Sequence, residues 1–550
     1  MAPTYGRIWD RPATRRAILA GGVVAAAGGT AAAVVGLGPG SAEGGTATIP
    51  GISSDGNPTE PPATPTTPPS ATPTSTPVAS GAIDDERRAA AHLLRRAGFG
   101  GTNAEIEEFA ALSRDEAASR LIDYQGVDNS ALDARVAALG LDDLYYSNAR
   151  VGEMAQWWLV RMTYSARPLE ERMALVWHGL LTTQVSQIGG RRAKLMVRQN
   201  ELFREMALPV YDDLLQAISK DPAMMAYLNT VESTAVAPNE NYGRELMELY
   251  SMGEGNYTED DVREAARAFT GWRFTPPRRV DRDDREARDL ALAEWDPRFV
   301  VAQRLHDSGP KTFLGQTGNW DGTDIVDIIM EQEATGQYIA LYLYTEFVHG
   351  QPYQDEIDDL VTVWNDSGHD VKEMVRAILT SDAFYSEEAY RAKVRSPIEL
   401  MVGAFRGLEL ELGEQARGIQ GAVEPMGQIP FEPPNVAGWP GGATWLSSGS
   451  FFARVNFIDA LVFGRPGPRD GRQRGRDRAG PLTGMRIPML EAAGTPEEMV
   501  DLALAALVDG NVPAESRDAM VEYVASTSSV EEQAKAAAYL VLGSPEFQTI

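Results

Sequence analysis

From Asp84 to the C-terminus the hydrophobic and polar positions follow the pattern of amphipathic helices, and several helix starts are marked explicitly. Thr102 with Glu105, Ser113 with Glu116, Thr258 with Asp261, Thr495 with Glu498 and Ser529 with Glu532 have the spacing of the capping box or its Asp variant. In that device a hydroxyl accepts a backbone N–H and the acid three residues on returns a bond. Asp221-Pro222 and Thr495-Pro496 add proline at the first helical position, where its missing N–H costs nothing. Strand-like material is scarce. The best segment is Phe299-Val300-Val301, between Trp272 and His306, which predicts a small hairpin. The fold expected is mainly α: a multi-helix, bundle-like body with long irregular Gly/Pro loops and at most a small β-hairpin.

The pattern also marks where the body begins and breaks. Arg15 and Arg16 precede an Ala/Gly/Val-rich, mildly apolar stretch that runs to Gly38, the layout of a twin-arginine export signal over residues 1–42. Gly40-Ser41-Ala42 offers small residues for cleavage; without cleavage the same stretch anchors the N-terminus in a membrane. Residues 43–83 are rich in Thr, Pro, Ser and Gly, a composition that buries nothing and favours an extended spacer. The main helical body is expected over 84–463. Residues 464–486 carry Arg465, Arg469, Arg472, Arg474, Arg476 and Arg478 among Gly and Pro, and a C-terminal helical region packed on the body follows over 487–550. The basic loop is either a solvated variable loop or a contact for an anionic wall polymer. Pro276 to Glu294, dense in both charge signs, is expected to be an exposed, weakly structured insertion. Two helix endings resemble one another, at Ser381 with Phe384 and at Ser544 with Phe547, each returning an aromatic to the core three residues after a serine.

Composition narrows the chemistry. A formal net charge of -28 argues against sequence-independent binding of nucleic acid, since phosphate contacts need a basic face. With no cysteine there are no disulfides, thiolate metal sites, Cys nucleophiles or lipidated cysteines. Any metal site must use His, carboxylate and carbonyl ligands, and the five histidines are His92, His178, His306, His349 and His369.

The densest polar cluster runs from Asn239 to Gly253 and is expected to be one helix ended by Gly253. Helical geometry sets Asn241, Glu245 and Glu248 on one face and makes Glu240, Arg244 and Glu248 ion-pairing neighbours. A carboxylate pair at a spacing of three either binds a metal or shares a proton, or it is a solvated, salt-bridged face. His178 lies in an otherwise apolar helix, Arg172 to Leu181, where an imidazole is either a satisfied core group or one that reaches a carboxylate across a bundle. His306 and Asp307 open a polar, Gly-punctuated loop that continues through Lys311 to Gly315, without the spacing of a phosphate-binding loop. Gly427 to Gly442 is a rigid Pro/Gly loop in which Asn435 and Trp439, with Trp445 beyond it, form either a ligand rim or a plug over the core.

His92 to Gly100, the Trp177-His178 helix, Asn239 to Gly253, Thr270-Gly271-Trp272, His306 to Gly315, Arg395-Ser396-Pro397 and Pro433 to Gly442 together resemble the successive blocks of the bacterial "domain of unknown function 1800" family. The resemblance covers nearly everything after Asp84. It implies no established reaction. It does imply export, and an exported partner, related to sulfatases or phosphatases, encoded nearby. The family's Trp-His helix commonly carries a second histidine where this chain has Leu180, so a two-histidine metal site does not carry over.

The working expectation is an exported protein of the envelope or exterior, with the twin-arginine translocase as partner during export and possible association with the cell wall. Its candidate catalytic residues are His178, Glu245, Glu248, His306 and Asp307. Its candidate substrate-binding residues are Arg244, Lys311, Asn435 and Trp439. A divalent metal, if one binds, is expected at His178, Glu245 and Glu248. The chemistry is hydrolytic or metal-assisted; the alternative is a non-catalytic envelope binding or scaffold module in which these groups are paired and closed off.

Overall fold

The computed structural model describes residues 82–83, 85–141, 144, 151–189, 193–281, 283–412, 420–464 and 484–550. All lie in one compact unit, Pro68–Ile550. The export signal, nearly all of the spacer and the six arginines of the basic loop fall outside the described residues.

The body is mainly helical, with two antiparallel two-stranded sheets: Trp272–Phe274 pairs with Phe299–Val301, and Lys311–Phe313 pairs with Gln316–Gly318. The first contains the Phe299–Val301 strand expected from the sequence, but the Arg285–Ala293 helix lies between it and its partner, so the pair is not a tight hairpin. The second forms inside the stretch from His306 to Gly315 and just beyond it, which reads in sequence as loop, because Leu314 and Gly315 take positive φ and turn the chain tightly.

The predicted caps form. Thr102, Ser113, Thr258 and Thr495 each accept the N–H of the third helical residue and donate their own backbone N–H to its carboxylate. Ser529 accepts from Glu532 N–H, while the Glu532 carboxylate turns to Ser528. Asp221 caps the Pro222–Tyr227 helix. Both serine endings work alike: Ser381 Oγ accepts Phe384 N–H and Ser544 Oγ accepts Phe547 N–H, and each ring is buried.

Two local expectations change. The charged stretch from Pro276 to Glu294 contains a helix, Arg285–Ala293, capped by Asp284 and largely exposed. Its C-terminal carbonyls, with that of Trp295, accept from the buried Lys194 ammonium. The helix from Asn241 ends at Glu248, and Gly253 at φ +78° closes the turn after it, donating to Met247 O at 3.0 Å. Tyr338 packs against that glycine and donates to Leu249 O at 2.7 Å.

Buried ion pairs set the register of the helices. The Glu171 carboxylate, fully buried on Pro168–Leu180, accepts from Arg161 of Val151–Tyr164 at 2.9 Å and Arg204 of Ala193–Glu205 at 2.8 Å. The three C-terminal helices, Pro496–Val508, Ala514–Ala525 and Val530–Leu542, pack on one another, and Gly407 of the Pro397–Gly407 helix meets the backbone of Ala506. The chain end is stitched to Lys393 by reciprocal backbone bonds with Ile550.

Candidate functional site

The nine candidate residues fall into three groups. Among the described residues no hydrogen bond or ion pair joins Arg244, Glu245 or Glu248 to His306, Asp307 or Lys311.

His178, Asn435 and Trp439 belong to the first. His178 is buried, ringed by Trp158, Phe203, Phe431 and Trp439 with centroids 5.4, 6.4, 5.7 and 5.4 Å away. Its Nε2 accepts Phe431 N–H at 3.2 Å. Burial alone pushes the imidazole down to about 3, with no carboxylate close enough to oppose it, so it is neutral at any ordinary pH. Phe431 sits at φ +67°, a strained value for a non-glycine residue, held by that bond and by its carbonyl accepting from Val185 N–H at 3.0 Å. Gly438, at φ +83°, lies so close to Gly179 O that a Cβ there would stand 2.6 Å from it. The Pro/Gly loop is thus docked backbone to backbone on the end of the Pro168–Leu180 helix. Asn435 Oδ1 accepts Ala437 N–H at 2.9 Å, and Trp439 is half-buried beside the histidine.

Arg244, Glu245 and Glu248 share the Asn241–Glu248 helix. Arg244 does not pair with Glu248; it pairs with Glu240 at 3.4 Å and with both oxygens of Glu259, because the next helix brings that acid alongside. Glu248 accepts the Tyr257 hydroxyl at 2.8 Å. Glu245 is half-buried and receives no hydrogen bond from any described residue. Burial, then the Glu248 charge one turn away, hold its carboxyl up at about 7. Tyr227 stands near it, its phenol raised to about 12 by burial and by the charges of Glu245 and Glu432. Glu432 belongs to the docked loop and accepts from the Ser186 N–H and hydroxyl, each at 3.0 Å. Tyr227 and Glu432 were not found from sequence. Tyr227 has no distinguishing neighbours, and Glu432 reads as one polar residue among prolines.

His306, Asp307 and Lys311 form the third group. His306 Nδ1 lies 2.9 Å from Thr270 O, and Gly271 leaves the space that lets the histidine backbone approach. Asp307 pairs with Arg267 at 2.8 Å, which holds its carboxyl below the usual range. The Lys311 ammonium, buried, donates to Asp307 O at 2.6 Å and Gly309 O at 3.0 Å. These bonds knot a turn and occupy two of the three Lys311 donors.

Among the described residues no three His, Asp or Glu side chains gather where a metal could be held, so His178 is not brought to Glu245 and Glu248 as a ligand set. None of the nine lines a cavity of about 360 Å³ whose walls include Asp128, Asp133, Arg167, Glu170, Glu201 and Glu205. Sequence spacing could not point to it, since its residues come from four separate segments.

No helix among the described residues is long and apolar enough to cross a membrane. No curated protein and no solved structure matches the chain. Residues 92–549 match the family described as "protein of unknown function (DUF1800)", the span that carries all three groups and both sheets, and the chain belongs to that family.

Proposed function

We propose that the protein is an exported enzyme of hydrolytic type, with Glu245 as its general acid or base, acting on an extracellular or envelope substrate. What supports this is the state of one side chain. Glu245 is half-buried, free of hydrogen-bond partners among the described residues, and held near 7, where a carboxyl both gives and takes a proton at neutral pH. Tyr227 adds a phenol near it and is itself near the Glu432 carboxylate, and the loop bearing Glu432, Asn435 and Trp439 would supply a rim. Export through the twin-arginine translocase rests on Arg15 and Arg16, and the Thr/Pro-rich spacer would hold the body away from the membrane or wall. Association with the wall, and with an exported sulfatase- or phosphatase-like partner, belongs to the same proposal. The test is turnover of chromogenic esters, glycosides, phosphate esters and sulfate esters by the mature protein beside Glu245→Gln. Loss of turnover with an unchanged circular dichroism spectrum is expected; equal turnover by the variant ends the enzyme reading.

A binding module is the second reading, favoured by the cavity of about 360 Å³ and by the internal partners that occupy His178, Asp307 and Lys311. In that case Glu245→Gln changes nothing and Arg167→Ala, in the cavity wall, lowers retention on isolated cell wall.

A further inference from the structure

A second polar cluster lies away from Glu245, where the His92 to Gly100 block meets Arg395-Ser396-Pro397 and the C-terminus. The cations Arg95, Arg96, Arg172, Arg391, Lys393 and Arg395 gather with the carboxylates Glu346, Glu399 and Asp509. The carboxylates are taken. Asp509 pairs with Arg95 at 2.5 Å and accepts the Tyr390 hydroxyl at 2.7 Å. Glu399 pairs with Arg172, and Glu346 is shared by Arg172 and Lys393. Arg395, 2% exposed, is left with the Phe547 ring 4.3 Å below its guanidinium and one bond from Nε to Thr549 O at 3.3 Å. Its Nη1 and Nη2 have no hydrogen-bond partner among the described residues. Burial and Arg95 lower its pKa to about 9, so it remains charged at neutral pH.

The Arg395 side chain also lines a small internal space. It is a cavity of about 10 Å³, walled by Arg95, Gly100, Gly101, Gly403 and Arg395, with Phe547 below. A space of that size holds one small ion or one water. Gly403 explains how the room is kept. It sits within the Pro397–Gly407 helix, where glycine costs about 1 kcal/mol relative to alanine, yet a Cβ there would collide with Arg395 Nη1.

We propose that this cavity is a structural site for one small monovalent anion of chloride size, bound by Arg395 and Arg95 and supplying the negative charge that Arg395 lacks. An isolated buried guanidinium is costly, and an ion bound only to the folded state stabilises it in proportion to the logarithm of its concentration. The site is independent of the reaction proposed for Glu245.

The experiment is thermal unfolding of the full mature protein in sodium chloride, bromide and gluconate at equal ionic strength, with Gly403→Ala as control for general salt effects. The wild type should gain several degrees in chloride or bromide over gluconate, rising with halide concentration, and Gly403→Ala should lose that dependence. Equal melting temperatures of the wild type in all three salts overturn the proposal. Because the variant could misfold, diffraction from wild-type crystals grown in bromide decides separately. An anomalous peak within hydrogen-bonding distance of Arg395 Nη1 or Nη2 supports the site, and a water without anomalous signal there overturns it.

Discussion

His178 Nε2 accepts the backbone N–H of Phe431 at 3.2 Å, joining residues 253 apart in sequence and fixing the Pro/Gly loop on the end of an apolar helix. The bond makes the histidine an acceptor, hence neutral, and holds Phe431 in a left-handed conformation that a free loop would abandon. The imidazole therefore positions the rim of the candidate site without taking part in proton transfer.

His178→Leu should leave Phe431 N–H buried without an acceptor and cost about 2 kcal/mol, read by urea unfolding at pH 7. The pH dependence gives an independent check. The folded pKa near 3 lies below the unfolded value, so the unfolded chain takes up a proton first as pH falls. Wild-type stability should drop below about pH 6.5 by up to about 1.4 kcal/mol per unit, and the leucine variant should lack that contribution.

Glu245 acts with the opposite sign. Its folded pKa, near 7, is raised above the unfolded carboxylate value, so ionisation favours the unfolded chain as pH rises between the two. With its partial exposure taken into account, Glu245→Gln should stabilise the protein by about 1 kcal/mol at pH 8 and hardly at all at pH 4. If Glu245 is the catalytic base, wild-type turnover rises with pH through about 7; as the acid, it falls.

Glu171→Ala should be among the most damaging single changes. It strands Arg161 and Arg204 without their shared carboxylate at the meeting of three helices. A loss of about 3 to 5 kcal/mol is expected in chemical denaturation, with Glu171→Gln milder because it keeps the shape and one acceptor.

Replacing Arg15 and Arg16 by lysine should trap the precursor inside the cell, as read by immunoblotting of cell fractions. Unchanged export through the general secretory route would show that the paired arginines are not the address.

The class of fold was legible because helix initiation is local. Thr102 with Glu105 and Thr258 with Asp261 satisfy orphan backbone donors within four residues, so spacing alone announces them. The strand at Phe299 was legible for a related reason, a short β-branched run in otherwise helical surroundings. The helix ends at Glu248, a turn before the Gly253 that the sequence marks as its end, where Tyr338 contacts Leu249 and Gly253.

Residue types and their local neighbours determined that Glu245 and Glu248 would share a face, and that a single histidine would lie in an apolar helix. Only the tertiary structure decided that His178 would spend its lone pair on Phe431, that Asp307 would be claimed by Arg267, and that Tyr227 would stand near both Glu245 and Glu432. The reason is physical. Hydrogen bonds and helix caps act over a few residues, whereas burial and the charges that shift a carboxyl's pKa come from whichever distant segments packing brings near.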